Sequence, residues 1–206
     1  MVPPAVVVAV VTDIEGTLDP DRQLLAQVAA GDEAAFAELV ERHQARLLRL
    51  CERLLHSSEE ARDAVQEVFL KAYRKAGSFQ PRGQVFTWLY RIATNHCLNQ
   101  LRRRRLVRFI GLGQPPEGDE AAPPEPVDEA PDAATALAAR RRWQATRRAI
   151  TELPANQRAV LVLARFEGLP YRQIAQVLGI TEGAVESRLF RALRRLEQTR
   201  EQETAS

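Results

Sequence analysis

The sequence predicts an all-α protein of two small helical domains joined by an acidic, proline-rich linker, with a helix-turn-helix in the second domain. Helices are favoured because apolar residues recur at three- and four-residue spacing and alternating strand patterns are absent. Glycine is also sparse, at 10 of 206 residues. The linker is indicated by residues 111–138, which contain six prolines and few large apolar side chains.

Composition and charge indicate a folded protein with a polyanionic partner. Hydrophobic residues make up 45% of the chain and charged residues 27%, a globular balance. The formal net charge is +2, but residues 111–138 contain seven acids and no Lys or Arg. Without those seven negative charges the rest of the chain carries +9. Charge alone does not separate DNA from RNA or anionic lipid as the partner.

Residues 1–20 are expected to form a disordered leader, since the apolar run from Ala5 to Val11 is too short to cross a bilayer and follows no basic residue. No other run approaches transmembrane length, so we expect a cytoplasmic protein without membrane insertion. Cys51 and Cys97 lie in helical apolar patterns, where a reduced cysteine acts as a small hydrophobe. We expect no metal, no cofactor and no enzymatic activity, because the sequence lacks a catalytic or metal-ligand constellation.

The first helical domain is assigned to residues 21–110. Asp32 is predicted to cap a long helix after Gly31 ends a short one, and His43 falls on its apolar stripe as a core residue. After a cap at Ser57-Ser58, the next helix buries one face and exposes a leucine among acids and an amide. This exposed face is either a partner surface or an ordinary solvated face. Its residues are Asp63, Gln66, Glu67 and Leu70.

A loop, GSFQPRGQ, and a long helix, FTWLYRIATNHCLNQLRRRR, follow that face. Aromatic, amide and arginine side chains together are typical of surfaces that stack on unpaired bases, hydrogen-bond their edges and contact phosphates. The alternatives are that Trp88 packs in the core and that the arginines complement the helix dipole. The candidate residues are Phe79, Arg82, Trp88, Arg91, Asn95, Asn99, Arg102 and Arg103.

The second domain is assigned to residues 139–198, with a tail at 199–206. A helix over residues 139–152 and another from Leu153-Pro154 to Gly168 precede a short amphipathic helix, residues 171–178. Gly179 is expected to end that helix in a left-handed conformation, and Thr181 to cap the next. The sequence therefore predicts a helix-turn-helix.

In the last helix one face is apolar, with Val185, Leu189, Ala192, Leu193 and Leu196. The outward face is small near its start and basic further along, as base-edge and phosphate contacts require. An amphipathic helix pair in an ordinary bundle is the alternative. The candidate DNA-binding residues are Thr181, Gly183, Glu186, Ser187, Arg188, Phe190, Arg191 and Arg194.

The order of these parts closely resembles the extracytoplasmic-function (ECF) subfamily of bacterial RNA polymerase sigma factors. The resemblance covers residues 21–196, and its motifs are GDEAAFAELVERH, DAVQEVFLKAY, FTWLYRIATNHCLNQLRRRR and LPANQRAVLVLARFEGLPYRQIAQVLGITEGAVESRLFRAL. It implies that the first domain binds the clamp of core RNA polymerase and melts the minus-ten element, while the second reads the minus-thirty-five duplex. It also implies a cognate anti-sigma factor and a stress or envelope signal.

Carried over by position, Asp63, Gln66 and Glu67 resemble the clamp-binding set, and the loop at Phe79 resembles the segment that captures a flipped base. The minus-thirty-five readers are matched by Glu186, Ser187, Arg188, Phe190 and Arg191. One position departs from the pattern, because Asn99 stands where the family usually has an aspartate. This leaves the minus-ten preference open.

Two other classes remain open from the sequence: a helix-turn-helix regulator that acts without polymerase, and a helical adaptor that binds only protein. The linker also bears on mechanism, because its 28 residues reach at most about 90 Å. Promoter elements read by the family lie on the order of 50 Å apart at about 3.4 Å per base pair. We therefore expect polymerase to set the domain separation and the linker acids to follow a positive path through it.

Overall fold

The computed structural model describes residues 19–79, 84–109 and 145–204, and every regular element in those ranges is helical. The helices are α1 (Pro20–Ala29), α2 (Glu33–Leu55), α3 (Ser58–Lys75), α4 (Val85–Phe109), α5 (residues 145–152), α6 (Ala155–Leu161), α7 (Tyr171–Leu178) and α8 (Glu182–Thr204). A 3-10 turn (Ala76–Ser78) follows α3, and a π turn (Val162–Phe166) extends α6. The all-α prediction is confirmed, and the predicted linker lies outside the described residues.

Side-chain caps fix where the first helices begin. Asp32 Oδ1 accepts the N–H groups of Ala34 and Ala35 at 2.9 and 3.0 Å, as predicted for the start of α2. Asp19 caps α1, so helix begins inside the segment that the sequence assigns to the leader. The second carboxylate oxygen of Asp19 accepts the N–H of Val85 at 2.7 Å. One carboxylate therefore ties the starts of α1 and α4 together.

The N-terminal helical unit, α1 to α4, packs around a core in which His43 is buried, as predicted. The Nε2 atom of His43 lies 2.7 Å from Asp21 Oδ2, and this hydrogen bond lowers the pKa of Asp21. Cys51 and Cys97 are free and fully buried. The hydrogen bond between the two thiols, together with burial, raises the pKa of Cys97 well above its ordinary value. Their surroundings favour inert core thiols.

The C-terminal helical unit, α5 to α8, contains the predicted helix-turn-helix. Gly179 ends α7 at φ +64°, and the hydroxyl of Thr181 accepts the N–H of Ala184 at 3.2 Å. Both features agree with the sequence prediction. Helix α8 continues to Thr204, so residues 199–204, assigned to a tail from the sequence, extend the helix.

The two units contact each other, which the sequence does not predict. Helix α4 packs against α6 and α7, and α2 contacts α6. The buried apolar residues of both units form one continuous core cluster. The surfaces of α3, α4 and α8 are therefore those of a closed arrangement of the described residues.

Candidate functional sites

The exposed face of α3 carries the four side chains predicted to bind a partner. Asp63, Gln66, Glu67 and Leu70 are all exposed, with Leu70 at 46%. Their spacing places them on one side of the helix because it matches successive turns. The opposite side, which includes Val68 and Ala72, is buried. An exposed leucine between carboxylates and an amide is suited to bind a surface with an apolar patch and basic groups.

A second layer of contacts borders this α3 face. Lys71 lies 3.7 Å from a carboxylate oxygen of Glu67, and its Nζ atom donates to His96 Nδ1 at 2.7 Å. Burial, followed by the charge of Lys71, lowers the pKa of His96. Tyr73 is exposed on one side and packs edge-on against Phe36, with ring centroids 5.1 Å apart. Neither Lys71 nor Tyr73 was predicted from the sequence as part of this face.

The predicted strand-binding aromatics meet at the start of α4. Phe79 and Trp88 form an edge-on pair with centroids 5.5 Å apart, and both rings are half-buried. Residues 80–83, including the predicted Arg82, lie outside the described residues. Tyr90, grouped with these aromatics in the sequence, is 1% exposed and therefore cannot stack on a base in this arrangement. Its hydroxyl instead donates to Glu167 Oε2 at 2.7 Å.

A polar stripe continues from this pair along the outside of α4. Arg91, Asn95, Asn99 and Arg102 succeed one another at intervals of four, four and three residues, and all are exposed, as is Arg103. The stripe has amides in its middle and arginines at its end, which allows base-edge contacts beside phosphate contacts. Arg104, from the same basic run, instead forms an ion pair with Glu60 on α3. The basic run is thus divided between an outer surface and a structural contact.

The outward face of α8 is exposed as predicted. Phe190 is 63% exposed, and Arg188 is half-buried. The exposed members are Thr181, Gly183, Glu186, Ser187, Phe190, Arg191 and Arg194. Leu193, assigned to the apolar face, is 37% exposed, so it lies at the margin of that face.

Two side chains on α8 are held together by hydrogen bonds. The guanidinium of Arg191 donates to the backbone oxygen of Ser187 from Nε and to its hydroxyl from Nη2, both at 3.1 Å. This contact holds Arg191 along the helix one turn above Ser187. Gly183, nearer the start, has open space where a Cβ would lie. The start of the helix therefore has little side-chain bulk to keep it from a ligand, and its middle carries a cation held in a fixed position.

Residues 19–79, 84–109 and 145–204 contain no group of three or more His, Cys, Asp or Glu side chains arranged to hold a metal ion. Within the same ranges no helix is both long and apolar enough to span a membrane.

Sequence reasoning missed the charged contacts between the two units. Glu167 accepts from Arg53 Nη1 at 2.7 Å, and Arg158 Nη1 donates to the backbone oxygen of Leu54 at 2.8 Å. The members of these pairs are separated by 114 and 104 residues. No local periodicity or motif connects residues at such separations.

Comparison with known proteins agrees with this arrangement. Residues 39–107 match the family model described as "Sigma-70 region 2", and residues 143–196 match "Sigma-70, region 4". The RNA polymerase sigma-H factor of Pseudomonas aeruginosa is 38% identical over 185 residues, which cover 85% of this chain and 91% of the relative. The ECF RNA polymerase sigma factor SigM of Mycobacterium tuberculosis is 38% identical over 176 residues, covering 85% and 82%.

A solved structure extends the likeness to the fold. The sigma factor RpoE of Bartonella quintana, in complex with the anti-sigma factor NepR, superposes with a TM-score of 0.62 at 25% identity. The match covers 81% of this chain and 96% of that one. With both sigma-70 regions matched in order and the two relatives covered over 91% and 82% of their length, the chain belongs to the ECF family of RNA polymerase sigma factors, which initiate transcription and are not enzymes.

Proposed function

We propose that this sigma factor divides its work among three surfaces, each on a different helix. The α3 face binds the clamp of core RNA polymerase, the outer stripe of α4 with Phe79 engages the minus-ten strand, and the outward face of α8 reads the minus-thirty-five duplex. The observation that supports this division best is that α3, α4 and α8 each bury one face in the core and expose most of the residues predicted for the other, with Trp88 and Arg188 half-buried. Polymerase supplies the chemistry.

On α8, phosphate contacts and base contacts fall to different side chains. Arg191 and Arg194 are long, exposed cations suited to phosphates. Glu186 and Ser187 lie closer to the start of the helix and can approach base edges in the major groove. Loss of an arginine should therefore weaken binding to all sequences, whereas changes at Glu186 or Ser187 should alter which duplex is preferred.

On α4, the pair of Phe79 and Trp88 offers ring faces beside the amides of Asn95 and Asn99. Stacking on aromatic rings contributes about 1–3 kcal/mol per base and holds a base outside the duplex. Asn99 is neutral where the family usually has an aspartate, so it repels the DNA backbone less. We propose that Asn99→Asp narrows the accepted minus-ten sequences without changing polymerase affinity.

We also propose an anti-sigma partner and a cytoplasmic location for this chain, with release under stress or an envelope signal. The support is that the RpoE structure similar to this one was solved with an anti-sigma factor. The domain boundaries proposed for this function are residues 21–110 for polymerase and minus-ten binding and 139–198 for minus-thirty-five binding. The acidic residues 111–138 connect them.

The α3 surface can be tested with a matched pair of triple variants. Asp63→Ala, Gln66→Ala and Glu67→Ala together should abolish binding to core polymerase. The control removes two acids and one amide from the exposed face of α2, at Glu33, Glu41 and Gln44. Binding is measured by fluorescence anisotropy of the labelled chain. Equal loss in both variants, or no loss in either, would show that α3 is only a solvated face.

The α4 surface is tested by comparing duplex templates with templates already unpaired at the minus-ten element. If the Trp88 ring acts in melting, Trp88→Ala should slow initiation on the duplex template. On the unpaired template the variant should initiate at the parent rate. Asn95→Ala should weaken initiation on both if the amide contacts the unpaired strand. Equal defects of Trp88→Ala on the two templates would remove the ring from the melting step.

A further inference from the structure

A carboxylate is buried at the contact between the two helical units. The Glu167 side chain, directly before the helix-turn-helix, is 4% exposed. Its oxygens accept from Arg53 Nη1 and from the Tyr90 hydroxyl, both at 2.7 Å, and Arg46 Nε lies 3.7 Å away. The three partners all belong to α2 and α4.

This arrangement makes the pairing of the Glu167 carboxylate depend on contact between the units. A buried carboxylate is costly unless it is paired and hydrogen-bonded. Arg53, Tyr90 and Arg46, which pair with the Glu167 side chain, all come from the other unit, so these contacts form only when the units are together. If they separate, water must replace Arg53, Tyr90 and Arg46.

Aromatic rings hold the two arginines in place for this role. The guanidinium of Arg53 lies 5.2 Å from the ring centroid of Phe166, and that of Arg46 lies 4.5 Å from that of Phe86. Cation–π contacts of this kind restrict an arginine that would otherwise sample many rotamers. Phe166 and Glu167, just before the helix-turn-helix, thus contact a cationic and aromatic site on the N-terminal unit. We call this site the Glu167 socket, and its residues are Arg46, Arg53, Phe86 and Tyr90.

A second polar contact crosses the same interface. Arg158 is 6% exposed and donates to the backbone oxygen of Leu54, in the last turn of α2, and to that of Thr151 at the end of α5. Carbonyls at helix C-termini lack intrahelical partners. The cation therefore serves the ends of one helix from each unit.

The closed arrangement conflicts with simultaneous binding of both promoter elements. Packed helices lie about 8–10 Å apart, so α8, packed on α7 that is packed on α4, lies on the order of 20 Å from α4. The two elements are on the order of 50 Å apart along the duplex. Residues 110–144 have a contour length of roughly 120 Å, so the units can separate without unfolding a described helix.

We propose that the free chain is held closed by Glu167 in its socket, and that polymerase binding draws the carboxylate out so that α8 can reach the minus-thirty-five element. This inference rests on the proposed function, because the need to open comes from the two-element promoter. Only open chains can bind polymerase in the productive arrangement. The apparent affinity for polymerase is therefore the intrinsic affinity multiplied by the fraction of chains that are open. Weakening the socket should therefore tighten polymerase binding.

The test uses the full chain with one dye on each unit. Cys51 and Cys97 are fully buried, so maleimide dyes should label cysteines introduced at the exposed positions Ala37 and Glu197. Single-molecule energy transfer should show mainly a high-efficiency population in the free chain. Glu167→Gln should raise the ratio of open to closed chains about tenfold or more, as expected for loss of a hydrogen-bonded buried charge. Addition of core polymerase should move both proteins to low efficiency.

A matched substitution and a partner substitution separate the latch from a general loss of charge or fold. Glu152→Gln removes one acid from an exposed position in the same unit and should leave the populations unchanged. Arg53→Ala removes the partner, and its effect should not add to that of Glu167→Gln. Thermal unfolding by circular dichroism shows whether each variant remains helical. If either socket variant unfolds, a chain crosslinked through Arg53→Cys and Glu167→Cys replaces it.

That crosslink is made with a bismaleimide whose centre can be reduced. The locked chain should fail to initiate with polymerase and should recover after reduction, whereas each single-cysteine chain treated in the same way should initiate throughout. The proposal is overturned if free parent chains are already open, if Glu167→Gln leaves the populations unchanged, or if the locked chain initiates. A failure of polymerase binding itself leaves the free-chain measurement intact and counts against the proposed function alone.

Discussion

The phosphate contacts proposed for α8 can be measured from their salt dependence. Arg191→Ala and Arg194→Ala each remove one exposed cation from the outward face of this helix. Each protein–phosphate contact contributes a slope of about −0.9 to a plot of log affinity against log salt. If each arginine contacts one phosphate, each variant should therefore be shallower than the parent by about 0.9.

The slope sets how the loss should vary with salt. Between 50 and 200 mM salt, one contact accounts for a change of about 3.5-fold in affinity, so each variant should lose about 3.5-fold more at the lower concentration. Arg191 is already held by Ser187. Ser187→Ala should therefore weaken the contribution of Arg191, and the pair should be non-additive.

The assay is fluorescence anisotropy of a labelled minus-thirty-five duplex titrated with the full chain at several salt concentrations. Arg165→Ala supplies the matched control, because Arg165 is an exposed arginine of the same unit on the π turn. Its slope should equal that of the parent. If Arg191→Ala and Arg194→Ala keep the parent slope, or if Arg165→Ala lowers it equally, the phosphate role of α8 is refuted.

Three further predictions concern stability, each followed by urea or thermal unfolding. Gly179→Ala should cost about 1 kcal/mol through its left-handed backbone alone, since no atom lies within 4 Å of the added Cβ; an unchanged midpoint would contradict this. Burial, then the charges of Arg158 and Arg147, lowers the pKa of His56 to about 4, so stability should be full above about pH 6.5 and fall by about 1.4 kcal/mol per pH unit towards pH 4. His56→Asn, which tolerates the left-handed backbone, should remove that loss, and an equal acid loss in the variant would contradict the assignment. Arg158→Met leaves buried carbonyls such as that of Leu54 without their donor and should cost about 3 kcal/mol, whereas a loss below about 1 kcal/mol would show that water replaces the donor.

Local chemistry explains why much of the fold could be predicted. The caps at Asp32, Ser57 and Thr181 and the left-handed Gly179 each depend on residues within a few positions of one another. The exposed face of α3 follows from helical spacing in the same way. Such features depend only on short stretches of sequence, so they can be predicted without knowledge of the tertiary structure.

Features that depend on tertiary contact could not be predicted. In the sequence, Tyr90 is one of several aromatic residues at the start of α4, but in the structure its hydroxyl donates a hydrogen bond to Glu167. In the sequence, Arg104 is part of a basic run, but in the structure it forms an ion pair with Glu60 on α3. In both cases the residue type is compatible with nucleic-acid binding. Only the packing against another helix shows that the side chain instead pairs with a carboxylate inside the protein.

Promoter-specific initiation is the central claim, and reconstituted transcription tests it most directly. Purified chain and bacterial core polymerase are incubated with fragmented genomic DNA from the source bacterium, and the 5′ ends of the transcripts are sequenced. We predict discrete start sites that share two upstream motifs at constant spacing, absent with core polymerase alone and with the Asp63, Gln66 and Glu67 triple alanine variant. Start sites that match those of core polymerase alone, or that persist with the triple variant, would contradict the account.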